Sequence, residues 1–153
     1  MTLLALQNAT YEYIKAHDSF TAYTVLTSQP FNCNLILNTM TQSQLGFNIL
    51  ISPPIPNSIQ PGVPGPIYTS LNLHIHLIHN VFSTFGEVSL IDTAHKLSQA
   101  LHLWVPPIDA WKSALQLIPK DPWQVLEHFP KKNYNVLRLE FFTSVKATRP
   151  QIA

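Results

Sequence analysis

The sequence predicts one α+β domain, residues 1–153, with four to five strands and two to three helices. Two segments, 71–77 and 136–145, place an apolar side chain at every second position, which is typical of strands. Two others, 3–17 and 89–104, repeat apolar residues every three to four positions, as helices do. A chain of this length buries roughly 68–70% of its unfolded surface, so a single domain can contain a real core.

The N-terminal third is predicted to contain a helix, a strand, a second helix and a second strand. The first helix ends near Asp18, and its apolar stripe is Leu3, Leu4, Gln7, Tyr11 and Ile14. The segment 20–27 is rich in β-branched and aromatic residues and should be extended. For 33–46 we favour a helix over a strand, because Gly46 ends it at a C-cap position. Its residues at helical spacing are Cys33, Ile36, Leu37 and Met40. The short apolar run 47–52 predicts a buried strand.

Residues 53–66 are predicted to form a long loop of semi-rigid, extended character. This range contains six prolines and two glycines, which exclude both a helix and a central strand. Loops of this length in compact domains usually have a function or contact a partner. We therefore expect Pro64 and Pro66 at a subunit interface.

Three histidines lie close together in the predicted strand "LNLHIHLIHN", residues 71–80. Its even positions, Asn72, His74 and His76, form one polar face, and the odd positions are Leu or Ile. His74 and His76 could chelate a metal, since their Cβ atoms would be about 7 Å apart. No Asp, Glu or Cys is near them in sequence to complete three or four ligands. We favour the alternative, in which Asn72, His74 and His76 face solvent or a neighbouring subunit.

The second half is predicted to contain a loop, a helix and one or two strands. The loop 82–88 carries Phe82 and Phe85, which we also expect at a subunit interface. The helix follows an approximate capping box of Ser89 and Asp92. Its predicted buried stripe is Leu90, Ile91, Ala94, Leu97, Ser98, Leu101 and Trp104. For 108–118 both a helix and a strand at "SALQLI" fit the pattern.

Charge is the most unusual property of the sequence. Asp, Glu, Lys and Arg make up 11% of the chain, against about 25% in typical soluble domains. Residues 19–86 contain none of these side chains, whereas a span of that length usually has about 17. Permanent interfaces lack charge at their centres, so the pattern favours a subunit of a larger assembly. The alternative is a soluble monomer of unusual composition.

The C-terminal region has the opposite character. From residue 131 onward five basic residues face one acid, Glu140, which leaves +4 in the last 23 residues. The basic residues are Lys131, Lys132, Arg138, Lys146 and Arg149. The overall net charge is only +1, which argues against a dedicated nucleic-acid-binding protein. The basic tail, about residues 146–153, is expected either to be solvated or to make a weak contact with DNA through Lys131, Lys132, Lys146 and Arg149.

Catalytic motifs are absent from the sequence. It contains no GxSxG elbow, no glycine-rich phosphate loop and no HExxH, and its eight acids are scattered. Asp92 and His95 have the spacing of helix neighbours, which is far more often a surface contact than part of a triad. A single cysteine, Cys33, excludes an intrachain disulfide. We therefore expect a structural protein without a cofactor, made in the cytoplasm and with no signal peptide or membrane span.

The order of elements and a few markers resemble a family of bacteriophage minor tail proteins. The markers are Pro64-Gly65-Pro66, Asn80, and Leu101-His102 followed by Trp104 and Pro106. The resemblance covers about residues 18–107, and "YNVLRLEFFTSV" near the C-terminus is a second match. The chain is similar in these features to the tail terminator, or tail-completion, proteins of long-tailed phages. It departs from the family in having His79 where an acid is usual, and "FSTFGEVS" in place of a charged, glycine-rich loop.

The resemblance implies a fold and a role. The family's fold is a mixed, mostly antiparallel sheet with helices packed on one face, which favours the strand near 113–118. Such proteins form a homo-oligomeric ring, typically a hexamer, that caps the tail tube at its head-proximal end and joins it to the neck. The implied partners are tube and neck proteins and the genomic DNA in the lumen. Another connector or neck protein, or a small metal-dependent enzyme using His74 and His76, are the alternatives.

Overall fold

The structure is a computed structural model and describes residues 3–21, 23–27, 47–59, 68–80, 90–108, 113–126 and 134–144. The helices in these ranges are α1 (Leu3–Ala16) and α2 (Leu90–Leu101), and a short 3-10 turn spans Asp18–Phe20. The strands are β1 (Thr24–Thr27), β2 (Phe47–Ile51), β3 (Ile55–Ile59), β4 (Tyr68–Asn80), β5 (Gln116–Leu117), β6 (Trp123–Leu126) and β7 (Tyr134–Ser144). Neither helix is long and apolar enough to cross a membrane, within the ranges given above.

All seven described strands belong to one mixed sheet. Its order is β1-β2-β4-β7-β5, with β3 also paired to β4 and β6 also paired to β7. Only β1 and β2 are parallel; the other pairs are antiparallel. The predicted α+β class and the mixed, mostly antiparallel sheet are confirmed. The predicted strand count of four to five was too low, because the local residue pattern does not indicate the short edge strands β3 and β6.

The two long strands β4 and β7 form the centre of the sheet. They pair without interruption from Ser70↔Ser144 to Asn80↔Tyr134. The alternation that predicted each strand matches this pairing, because directly opposed residues project to the same face of a sheet. Leu73, Ile75 and Leu139 project to one face and are completely buried. We call this the first face of the sheet.

Helices α1 and α2 both cover the first face. Ile14 of α1 and Leu97 of α2 belong to the same apolar cluster as Leu73 and Phe141 of the sheet, and all four are fully buried. Burying each such side chain contributes about 1.5–3 kcal/mol. The helices also contact each other, since Tyr13 Oη donates a hydrogen bond to the carbonyl oxygen of Ala100 (3.2 Å). The two described helices therefore lie on the same face of the sheet, as the resemblance implied.

The buried stripe of α1 differs from the predicted one. Its buried residues are Leu6, Gln7, Thr10 and Ile14, whereas Leu4 is 60% exposed. Two polar side chains can be buried because they bond to the backbone. Gln7 Nε2 donates to the carbonyl oxygen of Ile51 (2.9 Å), and Thr10 Oγ1 donates to that of Leu6 (2.8 Å). Gln7 and Ile14 were among the residues predicted at helical spacing, whereas Leu6 and Thr10 were not.

Helix α2 has the predicted position but a narrower buried stripe. Ala94, Leu97 and Leu101 are fully buried, whereas Ile91 is 63% exposed and was wrongly expected in the core. The chain turns sharply after the helix, where Leu103 has a φ of 66°. Its N–H group donates to the carbonyl oxygen of Leu115 (2.7 Å). This contact brings residues 113–117 back beside the end of α2, where β5 forms.

Three element predictions needed correction. The range 53–66 was expected to be a loop, but Ile55–Ile59 forms β3 on the edge of β4, with register shifts around Pro56 and Ser58. Proline is tolerated there because an edge strand or a bulge need not donate every N–H group. Strand β1 begins at Thr24 rather than Phe20, because the 3-10 turn takes up residues 18–20. Strand β6 was not predicted. The strand near 113–118 is confirmed as β5, and the helix expected over 33–46 lies outside the described residues.

Candidate functional site on the second face of the sheet

The side of the sheet opposite the helices is the second face, and it contains the polar residues that the sequence singled out. Asn72, His74 and His76 of β4 alternate with buried Leu and Ile and therefore project there. The opposed β7 residues complete the face. The cross-strand pairs are Asn72↔Phe142, His74↔Glu140, His76↔Arg138 and Ile78↔Val136. On the other side of β4, Leu50 of β2 pairs with His76.

A shared carboxylate joins Asn72 and His74. Asn72 Nδ2 donates a hydrogen bond to Glu140 Oε1 (2.8 Å). The same oxygen lies 3.3 Å from His74 Nε2, and the His74 and Glu140 side chains are only 20% and 18% exposed. Glu140 is therefore a carboxylate that lies beside the histidines in space, although it is far from them in the sequence. The alternation in β7 could have indicated it, because Glu140 occupies a polar-face position on the other long strand.

His76 is held neutral by its surroundings. The pKa of His76 is lowered to about 4, mainly by burial and to a smaller extent by the nearby His74 and Arg138. Arg138 is opposite His76 in the strand register and donates from Nη2 to Gln124 Oε1 of β6. Burial also lowers the pKa of His79. A neutral His76 therefore lies beside the guanidinium of Arg138 and near the carboxylate of Glu140.

Several polar atoms of this face are buried and make no hydrogen bond in the described part of the chain. They are Asn48 Nδ2 and Oδ1, Asn72 Oδ1, His76 Nδ1 and Arg138 Nε. Asn48, on β2, is only 1% exposed and pairs with Ile78 across the strands. A buried polar group without a partner costs about 1–3 kcal/mol, so such groups are uncommon and call for an explanation. The second face therefore combines buried polar atoms that lack a hydrogen bond in the described part of the chain with buried apolar residues, Leu50, Ile78 and Val136.

Glu140 is one more candidate ligand for a metal site near His74, but the described residues do not supply a complete set of ligands. Glu140 adds a carboxylate to His74, yet no group of three or more His, Cys, Asp or Glu side chains within the described ranges is arranged to hold a metal ion. Arg138 is opposite His76, and its positive charge would oppose a cation there. The arrangement can share protons and hydrogen bonds between neighbours.

A second place with titratable groups lies at the end of α1. An open cavity of about 310 Å³ is lined by Tyr13, Ala16, His17 and Asp18. His17 Nδ1 is already engaged, since it accepts the backbone N–H of Ser19 (3.2 Å). This hydrogen bond caps the 3-10 turn that leads into β1. His17 thus serves the local turn structure. Among the described residues that line the cavity, no nucleophile lies beside a free base.

The structure brings together three of the expected interface residues, Asn72, His74 and His76, on one face. The other expected interface residues, Pro64, Pro66, Phe82 and Phe85, lie outside the described residues. So do the four basic residues expected near DNA, Lys131, Lys132, Lys146 and Arg149. Arg138, from the same basic region, lies in β7 on the second face. No protein-family model matches this chain, and neither does any curated protein sequence compared with it.

Proposed function

We propose that this protein is a structural subunit of a bacteriophage tail, which assembles with copies of itself into a ring at the head-proximal end of the tail tube. The ring would cap the tube as a tail terminator and join it to the neck. One observation carries the proposal: residues 19–86 contain no Asp, Glu, Lys or Arg. The resemblance to tail terminator proteins gives that observation a specific role.

The charge-free stretch corresponds to a definite part of the fold. Within it lie β1, β2, β3 and β4, so more than half of the described strands have no permanently charged side chain. Among the described strands only β7 carries such residues, Arg138 and Glu140. Protein interfaces that form permanently are depleted of charge at their centres. A ring subunit needs two such surfaces, one for each neighbour.

The polar face supports the same role. Asn, His and Thr side chains can hydrogen-bond a neighbour without the desolvation penalty that an ionised group would bring. Buried atoms of Asn48, Asn72 and His76 make no hydrogen bond in the described part of the chain. A rearrangement on assembly would give these atoms hydrogen-bond partners. In the assembled ring, the segments 53–66 and 82–88 contact neighbours or the tube, and the basic C-terminal region faces the DNA in the lumen.

The mass of the native particle tests the proposal. One chain has a mass of 17.3 kDa, so native mass spectrometry should detect a closed particle of several subunits, and negative-stain images should show rings. The measurement is repeated with purified tail tubes, because a ring-forming subunit can also assemble only on its template. A 17.3 kDa species alone, both with and without tubes, would contradict the proposal.

A connector or neck protein at the head-proximal joint is the alternative within the same class, because a charge-poor ring surface suits it equally. Binding to isolated virion parts separates the two roles. A tail terminator should co-sediment with tail tubes that lack heads and label their head-proximal ends. A connector should co-sediment with DNA-filled heads that lack tails.

A further inference from the structure

The connection from β1 to β2 has to run across one face of the sheet. The two strands are parallel neighbours, and residues 28–46 join them. A tight turn cannot join parallel strands, because the chain must return to the level at which the first strand began. Such a crossover connection needs about a dozen residues or more, and the range 28–46 is long enough. The remaining question is which face of the sheet it crosses.

A second crossover connection of the same sheet contains α2 and uses the first face. Strands β4 and β5 are both antiparallel to β7, so they are parallel to each other, with β7 between them. Helix α2 lies in the chain between β4 and β5, and its residues Leu97 and Leu101 pack on the first face. The described part of this connection therefore crosses the first face.

The hand of the two connections places them on opposite faces. Connections between parallel strands of one sheet are right-handed in about 98% of cases. Both connections move in the same direction across the sheet, from the β1 end toward the β5 end. Their strands run in opposite directions, however, because β2 is antiparallel to β4. Reversing the strand direction reverses the hand of a connection on a given face, so a right-handed connection from β1 to β2 crosses the second face.

The burial of one end of the second face supports this path. Leu50, Ile78 and Val136 project to the second face and are at most 5% exposed, yet they lie outside the apolar cluster beneath the helices. Asn48, in the same part of the face, is 1% exposed. The helices among the described elements pack on the first face, so they do not account for this burial.

The composition of the segment 28–46 fits such a position. Four of its residues repeat at helical spacing, which gives the segment one apolar stripe that can pack on Leu50, Ile78 and Val136. They are Cys33, Ile36, Leu37 and Met40. On the first face, the space over β1 and β2 is already taken by α1, which contacts both strands.

We infer that residues 28–46 cross the second face of the sheet and cover the end that contains Asn48, Ile78 and Val136. The other end of this face, with His74 and Glu140 at 20% and 18% exposure, is then the part left for a partner molecule. The inference goes beyond the proposed function and does not depend on it, because it follows from strand directions and burial within one chain.

Paramagnetic broadening of methyl signals in NMR spectra tests the path. Cys33 is the only cysteine, so the double variant Cys33→Ala, Asn38→Cys carries one spin label in the middle of the segment. Gln42→Cys in the same background provides a second label position if the first variant does not fold. Circular dichroism of each labelled protein should match the wild type.

Adjacent residues of β4 and β7 are matched reporters for the two faces. Ile78 and Val136 project to the second face, whereas Leu77 and Leu137 project to the first. The label in the segment should weaken the methyl signals of Ile78 and Val136 much more than those of Leu77 and Leu137.

The control label is Gln99→Cys, on the exposed side of α2, which should weaken the signals of Leu77 and Leu137 more. A mixture of spin-labelled chains and separate isotope-labelled chains measures the broadening between copies. Equal or stronger broadening of Leu77 and Leu137 by the label in the segment would overturn the inference. Broadening of Ile78 and Val136 that arises only between copies would also overturn it, since a neighbouring subunit would then cover this face.

Discussion

Replacing His76 by glutamine should make the stability of the protein less dependent on pH. In the folded protein, burial above all, together with electrostatic interactions with His74 and Arg138, lowers the pKa of His76 to about 4. In the unfolded chain its pKa is the ordinary value of about 6.5. Between these values the unfolded chain binds a proton that the folded protein rejects, so acidification favours unfolding and stability rises with pH across this window.

The size of the effect follows from the two pKa values. One pKa unit corresponds to about 1.4 kcal/mol, so the difference between 6.5 and about 4 amounts to about 3 kcal/mol. This free energy of unfolding is retained above pH 6.5 and lost progressively down to about pH 4. The His76→Gln variant should lack this loss, because glutamine does not titrate and offers similar polar atoms on the second face.

Urea denaturation at several pH values from 7 to 4 measures the effect. The useful quantity is the difference in the free energy of unfolding between wild type and variant at each pH. The contributions of groups present in both proteins, such as His79 and the carboxylates, largely cancel in this difference. Protein concentration is held constant, since assembly also contributes to stability. His95→Gln, on the exposed side of α2, is the control and should follow the wild type. Parallel curves for wild type and His76→Gln would refute the account of the second face.

Three further substitutions test the packing, each by its free energy of unfolding at neutral pH. Leu103→Gly should stabilise the protein by about 1 kcal/mol, because Leu103 has a φ of 66°, in a region where glycine carries no steric penalty. A loss of stability would show that the contacts of the leucine side chain contribute more than the relief of backbone strain. Leu73→Ala should destabilise by about 2–5 kcal/mol, since Leu73 is fully buried under the helices, and a change below about 1 kcal/mol would contradict that packing. Ser98→Ala should cost about 1 kcal/mol through the hydrogen bond from Trp123 Nε1 (3.0 Å), and an unchanged Trp123 fluorescence and stability would argue against α2 lying along β6.

The parts of the fold that the sequence predicted well are those where one pattern dominates over many residues. Strands β4 and β7 alternate over most of their length because their apolar positions pack under the two described helices. Helix α2 has a clear apolar stripe and is followed by two prolines. In these segments local pattern and tertiary environment agree, so the sequence alone was sufficient.

Local pattern was insufficient where neighbours decide the structure. Strand β3 contains proline and forms only because β4 extends far enough to pair with it. Strand β6 has four residues and forms beside β7, which follows it in the chain. In α1, Gln7 is buried because it can reach the carbonyl oxygen of Ile51. None of these partners is close in sequence, and single-sequence periodicity does not report them.

On the second face, too, local pattern predicted one feature and the pairing of distant strands decided another. The alternation of β4 predicted that Asn72, His74 and His76 share a polar face. The pairing of His74 with Glu140 and of His76 with Arg138 depends on the register of two distant strands. That register places these three polar residues beside a carboxylate and a guanidinium, and Arg138 adds to the effect of burial, which is the main cause of the low pKa of His76.

A cryo-electron microscopy structure of the native particle would show directly what lies against the uncharged half of the sheet. We expect surface residues from the stretch 19–86 to be covered by neighbouring subunits. The proposed role would be contradicted if the residues of that stretch in β1–β4 faced solvent throughout the particle, with other surfaces making the contacts between subunits.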